Sequence, residues 1–226
     1  MLDFALQRHA RERRRYGAYY LQSLLGKAVF GIDRRLQRRY GVFCYSSDPR
    51  CIFRISIKTL EAAEVLENGT EIARGSAIVE LHLWNEQLPF FCGNSIAWAL
   101  RLSRNLMHSL QLLSDYLARN PDFDDVQAIG GDMALGTAEQ TAQLLWLAGK
   151  YGFSPCRPRP CRKASCLIRF GENIFISMMV LARNVKALRL SSIRRNRVRV
   201  LLTRFELDRR FGRGANPQLT PWRMAI

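Results

Sequence analysis

Residues 77–86 constrain the fold of this chain more than any other stretch. Their sequence is Ala-Ile-Val-Glu-Leu-His-Leu-Trp-Asn-Glu, in which branched and aromatic residues alternate with a period of two. This pattern predicts a β-strand, because successive side chains of a strand point to opposite faces of the sheet. The face that we expect to pack on the core carries Ala77, Val79, Leu81 and Leu83.

The opposite face of this strand carries the best candidate site in the sequence. It holds Ile78, Glu80, His82 and Trp84, and Glu86 follows just past the strand end. Side chains on one face of a strand stand about 7 Å apart, so they can converge on one small ligand. The candidate ligand-binding residues are therefore Glu80, His82, Trp84 and Glu86. Within this set, Glu80 and His82 are the candidate catalytic residues, with His82 as a general base that Glu80 orients.

Two further interpretations of this face stay open. A solvated strand face whose histidine bonds a neighbour would carry no function. A catalytic metal site usually needs three protein ligands, and the sequence offers only Glu80, His82 and His108. The C-terminal cysteines stand five residues apart, without the close C-x-x-C pairs of zinc modules. We therefore predict neither a metal nor another cofactor.

Charge is distributed unevenly along the chain. The 226 residues carry a formal net charge of +16, with a net +7 in residues 1–40, a net −7 in residues 60–150 and a net +14 in residues 151–226. Basic ends on a folded body usually contact phosphate, in lipid headgroups or in nucleic acid. The alternative is that these ends neutralise the acidic middle within one fold.

The densest cationic run in the chain contains Arg194, Arg195, Arg197 and Arg199, which we take as candidates for phosphate or membrane contact. No aromatic residue follows until Phe205, whereas proteins that bind single-stranded nucleic acid use aromatic side chains for stacking. We therefore expect an anionic membrane surface or a partner protein as the binding partner, and nucleic acid is less favoured. The oligomeric state stays open.

Several absences predict the location of the protein. No signal peptide is recognisable at the N-terminus, and no apolar run reaches the ~18–20 residues that span a bilayer. The six cysteines are too sparse for a disulfide scaffold, which indicates a reducing compartment. We expect a cytoplasmic protein that is peripheral to the inner membrane.

Periodicity and turn residues predict the elements of a central domain. Asn68-Gly69 marks a turn between two extended segments. Gly130-Gly131-Asp132 is expected to form a plain loop between a strand and a helix. An anion site at its free backbone N–H groups is the less favoured alternative, because no phosphate-binding motif is present. The predicted elements are strands over 51–58, 77–84 and 126–129 and amphipathic helices over 95–119 and 138–151.

Basic helices are predicted on both sides of this domain. Residues 4–39 place apolar side chains at threes and fours between arginines. After the proline-rich stretch 155–160, the same pattern predicts helices over about 167–188 and 196–211. The fold class is therefore α+β: a mixed, mainly antiparallel sheet packed by helices, with basic helical extensions at both ends. The predicted domains are 1–40 (basic helical segment), 41–155 (α+β core) and 156–226 (basic helical extension).

Residues 67–86 resemble the signature of the YkoP-like family of bacterial proteins. In that family a segment x-G-x-x-I-x-x-G-D-x-V-x-E-L-H precedes a long helix, and this chain has Ser76 where the pattern favours Asp. The resemblance spans residues 50–155 and marks Glu80, Leu81 and His82. YkoP-like domains occur alone or joined to polysaccharide deacetylases. The resemblance therefore implies a bacterial envelope context but no particular reaction.

The order strand, long helix, strand, helix over residues 77–151 is also similar to the second half of GNAT acetyltransferases. Those enzymes hold the CoA pyrophosphate with an R/Q-x-x-G-x-G/A loop. Residues 85–97 contain only Cys92-Gly93-Asn94 in that region, so the similarity extends to the order of the elements and not to this motif.

Three functional hypotheses follow. The leading one is a binding or accessory protein of an envelope pathway that handles polysaccharide or lipid. The first alternative is a GNAT-like acyl- or acetyltransferase with a pocket near Glu80 and His82. The second alternative is an RNA-binding protein that uses residues 157–210. The sequence leaves open whether the protein is an enzyme.

Overall fold

The computed structural model describes residues 38–83, 87–89, 95–135, 138–157 and 196–214, together with residues 31 and 35. The chain divides into two compact units. One unit comprises Tyr40–Arg159 and Asn196–Ile226, and the other comprises Met1–Arg39 and Pro160–Arg195. All the elements named below lie in the first unit.

The described residues of this unit form seven strands and three α-helices. The strands are β1 (Phe53–Thr59), β2 (Glu64–Val65), β3 (Glu71–Ile72), β4 (Ala77–Leu83), β5 (Val126–Leu135), β6 (Ser154–Pro155) and β7 (Asn196–Thr203). The helices are α1 (Ser95–Arg119), α2 (Ala138–Lys150) and α3 (Arg204–Phe211), and a short 3-10 helix over Pro121–Phe123 follows α1.

Five of the strands form one mixed sheet in the order β1-β4-β5-β7-β6. Its neighbours are antiparallel except for β4 and β5, which run parallel and are joined by α1. The remaining strands, β2 and β3, form a two-stranded hairpin. This architecture confirms the predicted α+β class with a mixed, mainly antiparallel sheet.

The three helices cover one face of the sheet and build the main core there. Each helix contributes an apolar stripe, as in Leu110, Leu113 and Leu117 of α1, which are fully buried. These leucines belong to one cluster with side chains of the sheet and of α3. The predicted helices over 95–119 and 138–151 are confirmed to within one residue at each end. Among the described residues, no helix is both long and apolar enough to cross a bilayer.

Helix α2 ends at a glycine in the left-handed conformation. Gly152 adopts a positive φ of 88°. Its N–H donates to the Gly149 carbonyl at 2.9 Å, and the N–H of Phe153 donates to the Ala148 carbonyl at 3.1 Å. This pair of bonds is the Schellman motif, which satisfies helix carbonyls that would otherwise lack partners.

The β2–β3 hairpin packs on the other face of the sheet and creates a second, smaller core. Asn68-Gly69 forms the predicted turn, with Gly69 at a φ of 87° and the Leu66 N–H donating to the Thr70 carbonyl at 2.9 Å. The members of this core are Leu60, Leu66, Ile72, Ile78, Ala128, Cys156 and Leu201. The sheet is therefore covered on both faces over part of its length.

This second core corrects the prediction that β4 has one buried face and one solvent-exposed face. Val79 is fully buried on the helix side, as predicted, but Ile78 on the opposite side is also buried, because the hairpin covers it. Leu83 was expected in the core and is 50% exposed. The reason is that the pairing of β4 with β5 ends at Glu80, three residues before Leu83.

The prediction of a loop at Gly130-Gly131-Asp132 is wrong. All three residues lie inside β5, which continues to Leu135 and pairs with β7 throughout. Gly130 is required there by close strand approach: a Cβ at this position would stand 2.0 Å from the Val200 carbonyl oxygen. Glycine marks a tight backbone contact here rather than a turn.

The prediction of a helix over 196–211 is wrong for its first half. Asn196–Thr203 form β7, which lies between β5 and β6 and is therefore part of the sheet rather than an extension of it. The helical prediction is correct for Arg204–Phe211, where the Thr203 hydroxyl accepts the Glu206 N–H as an N-cap. The helices predicted over 4–39 and 167–188 lie outside the described residues, apart from the helical residues 31, 35, 38 and 39.

We predict that Gly130→Ala destabilises the protein by about 1–3 kcal/mol, because the added methyl group overpacks the β5–β7 contact. The matched control is Gly149→Ala, where a Cβ meets nothing within 4 Å and the residue lies inside α2. This substitution should be neutral or stabilising by roughly 0.5–1 kcal/mol. Urea unfolding of both variants measures the difference, and equal stabilities would contradict the proposed strand contact.

Candidate functional site

The predicted site residues Glu80 and His82 lie on β4, beside the edge strand β1. Antiparallel pairing places Ser56 opposite Glu80 and Arg54 opposite His82. Period-two alternation puts these side chains on the face that carries the small core and not under α1. Trp84 and Glu86, which the sequence also placed in the site, lie outside the described residues.

His82 is held at one ring nitrogen by its neighbours on both strands. Its Nε2 lies 2.9 Å from the Ser56 hydroxyl and 3.7 Å from Oε2 of Glu80. Ser56 is fully buried, and the Glu80 side chain is only 12% exposed, whereas that of His82 is 33% exposed. The imidazole therefore has a fixed orientation at the border between the small core and solvent.

The Glu80 carboxylate is neutralised by a third member of this group. Lys58, two residues after Ser56 on β1, makes an ion pair with Oε2 of Glu80. The same ammonium lies 5.8 Å from the centre of the Tyr40 ring, a cation–π distance. Sequence analysis missed Lys58 and Ser56. The alternation in residues 51–58 put both on one face of a strand, but nothing in the sequence revealed the register with β4.

This arrangement does not match a nucleophile–base–acid relay. In such a relay the hydroxyl contacts one imidazole nitrogen and the carboxylate contacts the other. Here Ser56 and Glu80 both approach Nε2 of His82. Ser56 is also inaccessible to a substrate, because it is fully buried. Ser56 and Glu80 therefore hold the imidazole from one side.

A second charged group lies on the same sheet face. Arg199 of β7 stands opposite Asp132 of β5. Its guanidinium lies 3.6 Å from the Asp132 carboxylate and 3.7 Å from that of Glu64 at the start of β2. Of the four arginines predicted to contact phosphate, Arg199 is thus held in ion pairs of the fold. Arg197 occupies a strand position in β7, and Arg194 and Arg195 lie outside the described residues.

The pairing of β4 with β5 ends between the two charged groups. The pairing of these parallel strands ends at Glu80 and Gly130, although β4 continues to Leu83 and β5 to Leu135. Beyond this point His82 and Asp132 lie on the same face of the sheet, two residues past the last pair. Polar side chains thus border the carboxyl ends of two parallel strands, a position where ligands commonly bind in sheets of this kind.

His108, the third candidate metal ligand, lies apart from this face on α1. Its Nε2 is 2.7 Å from Oδ2 of Asp48. Hydrogen bonds from Arg50 and then from His108 hold the pKa of Asp48 well below its usual range. The described part of the chain contains no group of three or more side chains that could hold a metal ion.

Comparison with known protein families identifies part of the chain. Residues 28–137 match the family model of the YkoP domain, which confirms the resemblance seen around Glu80 and His82. The match includes β1 to β5 and α1 and ends before α2, β6, β7 and α3. No curated protein and no solved structure matches the chain.

We predict an asymmetry between the two partners of the Lys58–Glu80 pair. Lys58→Met leaves a shielded carboxylate without its ammonium and should destabilise the protein by about 1–3 kcal/mol. Glu80→Gln should cost less, because the Lys58 side chain is 43% exposed and its ammonium can be hydrated. The double variant should be more stable than the sum of the single effects predicts. Urea unfolding of the four proteins measures this coupling, and strictly additive effects would contradict the pair.

Proposed function

We propose that this YkoP-domain protein is a ligand-binding accessory protein of a bacterial envelope pathway that works at an anionic membrane surface. The polar sheet face that carries Ser56, Glu80 and His82 is its ligand-binding surface. The observation that carries this proposal is the contact of both Ser56 and Glu80 with the same nitrogen of His82. Such a site presents a fixed imidazole to a ligand, and Ser56 and Glu80 lie at the same nitrogen rather than on opposite sides of the ring.

The position of the face supports a role in binding. His82 lies two residues past the last pair of β4 with β5, and its ring is partly exposed and so within reach of a ligand. Lys58 and Tyr40 extend the polar surface along β1, and both are partly exposed. A cation, an imidazole and an aromatic ring are suited to a ligand that carries hydroxyl and anionic groups, as polysaccharides and lipid headgroups do.

The charge of the chain supports the membrane surface as the place of action. A formal net charge of +16 favours association with anionic lipid at ordinary ionic strength. The envelope context comes from the YkoP resemblance, since these domains also occur joined to polysaccharide deacetylases. Cytoplasmic location at the inner membrane is part of the same proposal.

We predict that the full-length protein sediments with phosphatidylcholine vesicles that contain phosphatidylglycerol and remains in the supernatant with phosphatidylcholine alone. The excess of cationic side chains is the physical reason, so binding should weaken as salt is raised. Co-sedimentation at several salt concentrations measures both effects. Equal failure to bind either kind of vesicle would remove the membrane surface from the proposed function.

The parallel β4–α1–β5 unit favours one second candidate, an acyltransferase-like enzyme. Its separated strand ends could accept an extended acyl-CoA beside Glu80 and His82. Under this alternative, acetyl-CoA at about 100 times its Kd should stabilise the protein by ~2.7 kcal/mol. Our proposal expects no thermal shift with millimolar acetyl-CoA, and a clear shift would favour the enzyme.

A further inference from the structure

We propose that the outward side of α2 is the surface that docks onto the anionic bilayer, an inference that rests on the proposed function at a membrane surface. This docking face consists of Leu144, Trp146 and Leu147 of α2 together with Ile96 of α1. Two observations carry it, the exposure of these apolar side chains and the cations near them, together with an argument from topology that places Ile96 on the α2 side of α1.

Helix α2 is apolar on both of its sides. Leu145 and Ala148 pack against the main core, which is the expected inward face. Trp146 on the other side is 66% exposed, and Leu144 and Leu147 are exposed as well. A globular protein normally keeps the outer side of a surface helix polar, and a patch of large apolar side chains marks a surface that contacts a partner or a membrane.

The topology brings Ile96 to the same patch. Helix α1 joins β4 to the parallel strand β5. Helix α2 joins β5 to β6, and these two strands are also parallel, because each of them is antiparallel to β7. Both helices pack into the main core on one face of the sheet, so they run in the same direction.

The two helices are also fixed in register. The hydroxyls of Tyr151, just past α2, and Ser103 of α1 are hydrogen-bonded. Ile96 and Leu144 each lie seven residues before this contact, so a rise of about 1.5 Å per residue places them at the same level. Ile96 is exposed, which extends the apolar surface across both helices.

Cations lie at this apolar surface and beside the C-terminal end of α2. The Lys150 ammonium lies 4.8 Å from the centre of the Trp146 ring. Arg101 and Arg104 are exposed on α1, on either side of Ser103. The Arg210 side chain lies against Gly152 just past α2, where it also pairs with Glu206.

An anionic bilayer fits this combination better than another macromolecule does. Trp and Leu can enter the boundary between headgroups and acyl chains, while Lys and Arg side chains reach the lipid phosphates. Nucleic acid would satisfy the cations but offers little to the leucines. The docking face therefore combines both requirements of a surface that binds anionic lipid.

The test compares two variants of the full-length protein that lose exposed apolar side chains without a change in charge. Trp146→Ser/Leu147→Ser alters the docking face. The matched control is Phe205→Ser, which removes a 73% exposed ring from α3 and leaves the side chains of α2 unchanged. Partition to vesicles with and without phosphatidylglycerol is measured by co-sedimentation, and circular dichroism verifies that both variants are folded.

We expect the Trp146→Ser/Leu147→Ser variant to lose at least about tenfold in partition to phosphatidylglycerol vesicles, and Phe205→Ser to bind like the wild type. Lys150→Glu provides a second test, because it leaves the apolar side chains of Trp146 and the leucines in place and reverses the charge beside them. We expect it to weaken partition to the phosphatidylglycerol vesicles several-fold.

Two outcomes separate this inference from the proposed function. If the wild type binds the anionic vesicles and all variants bind equally, the docking face is wrong and the proposed membrane location stands. If the wild type fails to bind, the proposed location is wrong and the docking face falls with it. A change in oligomer mass or in poly(U) binding, with vesicle partition unchanged, would assign the face to a second copy or to RNA and would also overturn the inference.

Discussion

The pairing of β5 with β7 is the interaction on which the rest of this structure depends. It joins the β1-β4 half of the sheet to the β7-β6 half, between segments about seventy residues apart in the chain. Gly130 permits the approach, because any side chain there would collide with the β7 backbone. Without β7, the backbone N–H and C=O groups on one side of β5 would be unpaired, and β5 would form an exposed edge of the sheet. The YkoP match ends at residue 137, so in this chain a segment beyond the match completes the sheet.

A sheet covered on both faces explains the character of the candidate site. The helices cover one face, and the β2–β3 hairpin covers the part of the other face that carries Ile78, Ala128 and Leu201. Ser56 and Glu80 lie at the margin of the hairpin core, where burial makes unpaired polar groups costly. Each is therefore paired, Ser56 with His82 and Glu80 with Lys58. This pairing holds the His82 ring in place.

Local patterns predicted the elements whose stability is decided within the element itself. Helix α1 shows a continuous apolar stripe, Asn68-Gly69 specifies a tight turn, and Gly152 ends α2 in the left-handed conformation. The errors concern segments whose conformation depends on distant partners. The stretch 196–203 alternates Val and Leu with Arg, which fits either a strand or one side of a helix, and β5 decides in favour of the strand. The sequence around Gly130 is typical of a turn, and only the close approach of β7 explains the glycine as part of a strand.

The sequence by itself determined the class of the fold, the strand that carries Glu80 and His82 and its YkoP signature, since each is encoded in local periodicity or in a contiguous motif. Only the tertiary structure decided what surrounds those residues. The register of β1 against β4 brought Ser56 and Lys58 to them. The physical reason is that strand register and helix packing are set by burial over the whole sheet, which no short segment specifies.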